Sequence, residues 1–491
     1  MRPLRACLPG LLGLLAAFAL PARAQDWLRL EGEGFTVVSD LSERDVREWA
    51  QEFESFLVSL HRLLPLNRRL LPPLTAVVFK RTGGFAPYRL RTESGLVGGN
   101  SGIFINSSTW SVIGMPGVRG AASDHSTTYH EAVHWFMSAD PTRYPLWFTE
   151  GIAELFSTFE IADDRVKWAR PIPQHLDYLE VTGLQPMEEF LEVSQDEAMH
   201  VNASYYSQAW LFVHYLTFGR PDGPGLLSRF LTASKDESAV EAFRAVFEME
   251  PAAMDDLLRA YLRQDSFNTG GNPVDAAGST EFIVTPAPSE EVEIGLARLA
   301  LGTRNFELFE MHVANVLAVA PDRPEPYDLR ASWYAQAGRN DFEPLLDEAI
   351  ARGSTDARTW ELKAIARARS LRKAEPLFSS TALDPADARE IADYLTQAIR
   401  LRPINPGAYR LFADVLYSVD TIREGDAEML EIGQIVHPGE ASVPLGQAAL
   451  ALKRNDLAEA DRLVALALSD DYRLRGTDRA AAEALRRRLN P

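Results

Sequence analysis

The chain has 491 residues, 46% apolar and 24% charged, a balance that lets it bury a large core and excludes wholesale disorder. It carries 50 Lys and Arg against 69 Asp and Glu, a formal charge of −19, so it lacks the basic footprint of a nucleic-acid binder. Its single cysteine excludes a disulfide framework and a cysteine-rich zinc or iron–sulfur site, and at roughly 100–200 residues per domain the length predicts two to four domains.

Residues 1–24 read as a bacterial-type export signal. Arg2 and Arg5 open it, an apolar run from Leu11 to Leu20 follows, and Ala22-Arg23-Ala24 forms a small-x-small cleavage site, which makes Gln25 the expected mature start. The run is too short for a bilayer, which needs about 20 apolar residues. Cys7 precedes the run, so it is not placed for lipid attachment. Cleavage after Ala24 removes three arginines and the only cysteine, leaving a cysteine-free chain of formal charge −22. That suits an oxidising compartment, periplasmic or extracellular. No later run is long and apolar enough to predict a membrane span.

In chain order, Phe35-Thr36-Val37-Val38 predicts a strand, and the stripe Val46, Trp49, Ala50, Phe53, Phe56, Leu57, Leu60, Leu64 predicts an amphipathic helix over 42–64. Strands are expected at Leu74–Phe79, before Gly83-Gly84, and at Gly102-Ile103-Phe104-Ile105-Asn106; helical patterns dominate afterwards. Residues 266–289 are rich in Gly, Pro, Ser and Thr and read as a linker. Beyond it the pattern is helical, and a theme recurs over Leu299–Pro321, Tyr409–Pro438 and Leu445–Leu468, with 368–388 as an insertion. This resembles tetratricopeptide repeats, helix pairs with a period of about 34 residues. One such pair cannot bury its apolar face alone; a stack makes a continuous core and a concave surface able to hold a protein partner.

The segment that carries chemistry is His130-Glu131-Ala132-Val133-His134, the HExxH pattern. Tyr129, Ala132, Val133, Phe136 and Met137 repeat at helical spacing, which predicts a helix with a buried stripe. His130 and His134, four apart, stand one above the other on a neighbouring face and can reach one metal ion, while Glu131 points to the side, toward a bound water. Sixteen positions after His134, Glu150 and Glu154 lie four apart among Trp147, Phe148, Ile152, Ala153, Leu155 and Phe156. Like charges at that spacing cost a few tenths of a kcal/mol, and Gly151 inside the helix costs about 1 kcal/mol relative to Ala. A divalent cation compensates: one carboxylate binds it and the other holds a ligand. Two histidines and one carboxylate leave a fourth zinc position open, the arrangement of catalytic sites.

His130-Glu131-x-x-His134 followed by Trp147-x-x-Glu150-Gly151-x-Ala153-Glu154 resembles the gluzincin metallopeptidases, in particular the peptidase MA-like domains of secreted bacterial proteins. The similarity extends to Tyr206-Ser207-Gln208-Ala209-Trp210 and His214-Tyr215-Leu216. The resemblance implies an α+β zincin-like catalytic domain over 25–265, with a small N-terminal sheet and a helical C-terminal lobe, joined by the 266–289 linker to an all-α tetratricopeptide-like domain over 290–491. It implies that His130, His134 and Glu150 bind one zinc ion, that Glu131 is the general base, and that Glu154 hydrogen-bonds a ligating histidine such as His130. A later helix supplies the group that stabilises the oxyanion; Tyr206 is the first choice, with Tyr205 and His214 as alternatives. Strand 102–106 is the edge strand that pairs with an extended peptide or protein substrate. The same residues also fit a catalytically silent zinc domain within a repeat scaffold. His125 is taken as non-ligating, and His61, His175, His200, His312 and His437 show no metal spacing. No phosphate-binding loop and no Gly-x-Ser-x-Gly elbow occurs.

Overall fold

The computed structural model describes residues 27–89, 91–92, 95–96, 102–117, 126–140, 144–162, 165–193, 202–234, 238–273, 281–372, 383–469 and 476–489. The export signal expected at 1–24, its cleavage point and the mature start at Gln25 lie outside the described residues, as do His125 and His200.

The protein is mixed α/β, with a sheet supplied mainly by its N-terminal part and a predominantly helical remainder. The N-terminal part runs through β1 (Leu28–Gly32), β2 (Phe35–Ser39), α1 (Glu43–Leu63), β3 (Leu74–Phe79) and the short α2 (Thr82–Phe85). The pair β4 (Arg91–Thr92) and β5 (Gly95–Leu96) follows, then β6 (Ile103–Asn106) and β7 (Ser111–Pro116). The Ser42 side chain caps α1 by accepting from the Asp45 backbone N–H, and Glu43 and Asp45 favour the positive end of the helix dipole. The strand of Val284–Pro286 joins at one edge, giving the order Val284–Pro286, β1, β2, β3, β7, β6. β2, β3 and β7 are mutually parallel; β1 and β6 run antiparallel to the neighbours they flank.

Side chains alternate along each strand, and both faces of this sheet are buried. Val37, Ala76, Val78, Ile113 and Met115 meet Phe53, Phe56 and Leu60 of α1 and Val133 of α3 (Ser126–Met137). Val38, Val77, Phe79 and Val112 face the other way. The strand at 111–116, which the sequence pattern did not announce, sits inside the sheet between β3 and β6.

The helical lobe begins with α3 and α4 (Leu146–Ser157), followed by the hairpin β8 (Glu160–Ala162) and β9 (Arg165–Trp168). Next come α5 (Pro173–Thr182), α6 (Met187–Glu192), α7 (Ala203–His214), α8 (Gly223–Ala233), α9 (Ala239–Phe247) and α10 (Pro251–Leu262). α7 ends in a π-helical turn, Tyr215–Gly219. Its core is aromatic: Trp147 stacks on Phe230 with centroids 5.3 Å apart, and Phe156 on Trp168 at 4.8 Å. α4 lies directly on α7, and Gly151 makes the approach possible. A Cβ there would come within 2.4 Å of Val213 Cγ2 and 2.5 Å of the Ala209 carbonyl.

The stretch expected as a linker is not a free tether. β10 (Gly270–Pro273) pairs with β9, and β11 (Val284–Pro286) pairs with β1. Its Gly- and Pro-rich composition belongs to extended segments at sheet edges, where proline costs no ladder bond. The helices after it are α11 (Ser289–Gly302), α12 (Phe306–Val319), α13 (Glu325–Gln336), α14 (Glu343–Ala351), α15 (Ala357–Arg372), α16 (Pro385–Leu401), α17 (Pro406–Leu416), α18 (Glu424–Val436), α19 (Ser442–Lys453), α20 (Leu457–Ala467) and α21 (Gly476–Leu489). The residues expected as an insertion, 368–388, are helical up to Arg372 and again from Pro385; 373–382 lie outside the described residues.

α11 and α12 cover the second face of the sheet. Val292, Leu296 and Leu299 of α11 and Phe309 and Val313 of α12 form one cluster with Val38, Val77, Phe79, Trp110 and Val112. The two expected units therefore share a core. Further along, α11 contacts α13, α13 contacts α15 and α19 contacts α21, while α17 packs about equally on α16 and α19.

Candidate metal centre

The HExxH segment is helical because its apolar stripe has a core to meet: Tyr129, Ala132, Val133, Phe136 and Met137 are all buried. Trp135 is buried as well and donates from Nε1 to the Pro72 carbonyl at 3.0 Å, which fixes the roll of α3. That roll leaves His130, Glu131 and His134 half-buried on the neighbouring face. α4 packs against α3 and brings Glu150, 8% exposed, up to the two rings.

Three ligand-type atoms converge. His130 Nε2 lies 3.1 Å from His134 Nε2, and Glu150 Oε2 lies 3.3 Å from the first and 3.4 Å from the second. Ligands about 2.0–2.1 Å from a tetrahedral zinc ion are separated from each other by roughly 3.3–3.4 Å, so these spacings fit a single small cation. Glu150 Oε2 is buried and finds no aligned hydrogen-bond donor among the described residues. On the far side of the ring, His130 Nδ1 lies 3.2 Å from Glu154 Oε1. A proton on Nδ1 serves Glu154 and turns the Nε2 lone pair toward the other two donors.

The electrostatics match this geometry. Burial disfavours the charged form of His130, yet its contacts with Glu150 and Glu154 outweigh burial and raise its pKa to about 10. Burial likewise pushes both carboxyls up, but the imidazoles hold Glu150 at about 2, and His130 with His175 holds Glu154 at about 2. The cluster is built around one positive charge, whether proton or cation. Two imidazoles and a carboxylate form a donor set suited to zinc.

An open cleft passes the cluster, lined by His130, Glu131, Glu154, Arg170, His175 and Tyr206 among others. Of the three candidates for the oxyanion role, the structure brings only Tyr206 here, with its ring centroid 6.4 Å from that of His130. Burial, then the negative charges of Glu150, Glu131 and Glu154, raise its pKa, so its hydroxyl remains a donor at neutral pH. Tyr205 turns into the core against Phe190, with centroids 4.9 Å apart.

His214 is a correction of another kind: it is fully buried away from the cluster. Its Nε2 donates to the Ala169 carbonyl at 3.2 Å, which leaves Nδ1 to accept from the Tyr261 hydroxyl at 2.8 Å. Burial lowers its pKa to about 4, so it is a neutral core residue. It anchors Ala169, held at φ +55° in the left-handed region, and so fixes where the next residues, Arg170 to His175, cross the cleft wall.

The expected substrate strand is β6. It occupies an edge of the sheet and, among the described residues, pairs with β7 alone. Ile103 and Ile105 turn toward the α11 side and Phe104 toward the α3 side, while Asn106 is exposed and accepts from Ser111 Oγ at 2.7 Å. Gly102, just before the strand, abuts the first turn of α3: a Cβ there would stand 3.0 Å from Thr128 Oγ1.

Sequence reasoning missed His175. It comes from α5, 21 residues after Glu154, and no spacing rule links the two. Its Nε2 lies 3.2 Å from Glu154 Oε2 and its Nδ1 3.0 Å from Ser207 Oγ. Compared with known proteins, the chain matches no family model and no curated sequence.

Proposed function

We propose that the protein is a zinc-dependent peptidase of the gluzincin type, exported from the cytoplasm, whose C-terminal helices form tetratricopeptide-like repeats that recruit substrate or a protein partner. The observation that carries this reading is the convergence of His130 Nε2, His134 Nε2 and Glu150 Oε2 within 3.4 Å of one another, beside a cleft that His130, Glu131 and Tyr206 line.

His130, His134 and Glu150 would hold the ion. A zinc ion there supplies a Lewis acid that polarises the scissile carbonyl and acidifies an attacking water. Glu131 takes the proton of that water and passes it to the leaving amine. Tyr206 donates a hydrogen bond to the oxygen on which negative charge develops. Glu154 keeps the His130 ring turned toward the ion. The edge of β6, which among the described residues pairs with β7 alone and lies beside α3, supports an extended backbone as the substrate and hence a peptide.

The test is zinc content after dialysis, together with cleavage of a mixed peptide library. One zinc per chain and cleavage that Glu131→Gln abolishes while retaining zinc are expected. Undiminished cleavage by Glu131→Gln refutes the mechanism. Zinc binding with no cleavage by the parent chain moves the reading to a silent zinc domain within a scaffold.

A further inference from the structure

We propose that His175 is a positioning residue for the metal centre, acting through Glu154 on the orientation of His130; the inference rests on the zinc reading above. Glu154 stands between two imidazoles and spends one oxygen on each. Oε1 is 3.2 Å from His130 Nδ1, and Oε2 is 3.2 Å from His175 Nε2. His175 Nε2 is buried, makes no aligned hydrogen bond among the described residues, and lies within ion-pair distance of that carboxylate oxygen.

The chain of contacts continues. His175 Nδ1 is 3.0 Å from Ser207 Oγ, and Ser207 Oγ is 2.8 Å from the Ala203 carbonyl in the first turn of α7. Ser207 has one hydroxyl proton, so it serves either Nδ1 or the carbonyl at a given moment. When Ser207 donates to Nδ1, the neutral His175 ring carries its proton at Nε2 and presents that N–H to Glu154. The carboxylate is thereby oriented from outside. Without His175, the contact left to Glu154 Oε2 among the described residues is a long one of 3.5 Å with Ser157 Oγ, and the carboxylate could rotate away from His130.

Groups that orient a ligating histidine change metal affinity about 10–100-fold when removed. His175 acts one step further out, and the lower end of that range, roughly 10-fold, is expected for His175→Leu.

The experiment is a zinc titration of the mature chain competed by a chromophoric chelator, for the parent, His175→Leu, His175→Gln, Glu154→Gln and the double variant Glu154→Gln/His175→Leu. Gln places an amide N–H near the position of Nε2, so His175→Gln should recover most of the affinity that His175→Leu loses. Once Glu154 is neutralised, His175→Leu should cost little more. Parent-like affinity in His175→Leu overturns the proposal. So does equal loss in the Leu and Gln variants, which would mark a packing role, and so does a loss that adds fully to that of Glu154→Gln. If the parent chain itself binds no zinc, the peptidase reading fails as well. If the parent binds one zinc and His175→Leu binds it equally, this inference alone fails.

Discussion

Removing residues 289–491 should unfold the N-terminal half, which carries the candidate metal centre, instead of releasing it as a domain. The perturbation strips α11 and α12 from the sheet and exposes Val38, Val77, Phe79, Trp110 and Val112, all now buried. At about 1.5–3 kcal/mol for each fully buried large apolar side chain, these five residues represent roughly 7–15 kcal/mol. Even halved for contacts they keep among themselves, and for the compactness of real unfolded chains, the loss is comparable with the whole stability of a typical domain, about 5–15 kcal/mol. The assay is thermal unfolding by circular dichroism, with zinc uptake, on 25–288 and 25–491 side by side. A cooperative transition in 25–288 at the temperature of the longer chain, with zinc bound, would refute the shared core and restore two units joined by a linker.

Three further outcomes follow from named contacts. Gly151→Ala should lose about 1–3 kcal/mol by overpacking, since a Cβ meets Val213 Cγ2 at 2.4 Å and the Ala209 carbonyl at 2.5 Å, and should weaken zinc binding as α4 shifts; an unchanged melt would show that the helices part freely. Tyr206→Phe should lower kcat about 100- to 1,000-fold with zinc affinity intact, the size expected for losing one oxyanion donor; parent-like turnover removes Tyr206 from the mechanism. The pKa of His214 falls from 6.5 to about 4 on folding, so its contribution is full above pH 6.5 and is lost as pH falls toward 4. Between pH 7 and pH 4.5 that costs about 2 kcal/mol, and urea unfolding of His214→Phe should show a correspondingly smaller loss over that interval.

The parts of the fold that were legible share a cause. α1 and α3 each bury an apolar stripe at helical period, and β2 and β3 are apolar runs of strand length, so the local pattern identifies them. The cluster was legible because each of two helices presents a pair of its side chains at i, i+4, His130 with His134 and Glu150 with Glu154, a spacing that survives without knowledge of tertiary structure. β7 was not, because Ser111-Val112-Ile113-Gly114-Met115-Pro116 ends in residues that ordinarily break strands; inside the sheet its Gly114 and Pro116 are accommodated by neighbours that a sequence does not list. His175 was missed for a related reason: it reaches Glu154 through the path of the chain around Ala169, not through spacing. His214 was placed near the chemistry because it sits two turns after Tyr206 on the same helix, but the rotation over those eight positions carries it toward Tyr261. The sequence of β3 does carry a signal for the second layer. Leu74-Thr75-Ala76-Val77-Val78-Phe79 is apolar nearly throughout, the pattern of a strand covered on both faces, and nothing before residue 266 offered the second cover.

The pairing of β1 with β11, Leu28 opposite Pro286, bears on when this chain can fold. β1 pairs locally with β2, but its other edge waits for a strand more than 250 residues downstream, and the sheet waits for α12, which ends at Val319. At 5–20 residues per second, synthesis of that interval takes roughly 15–60 s. For that time the edge of β1 that β11 covers and the sheet face that α12 covers stay open, so closure of the N-terminal half is postponed by topology.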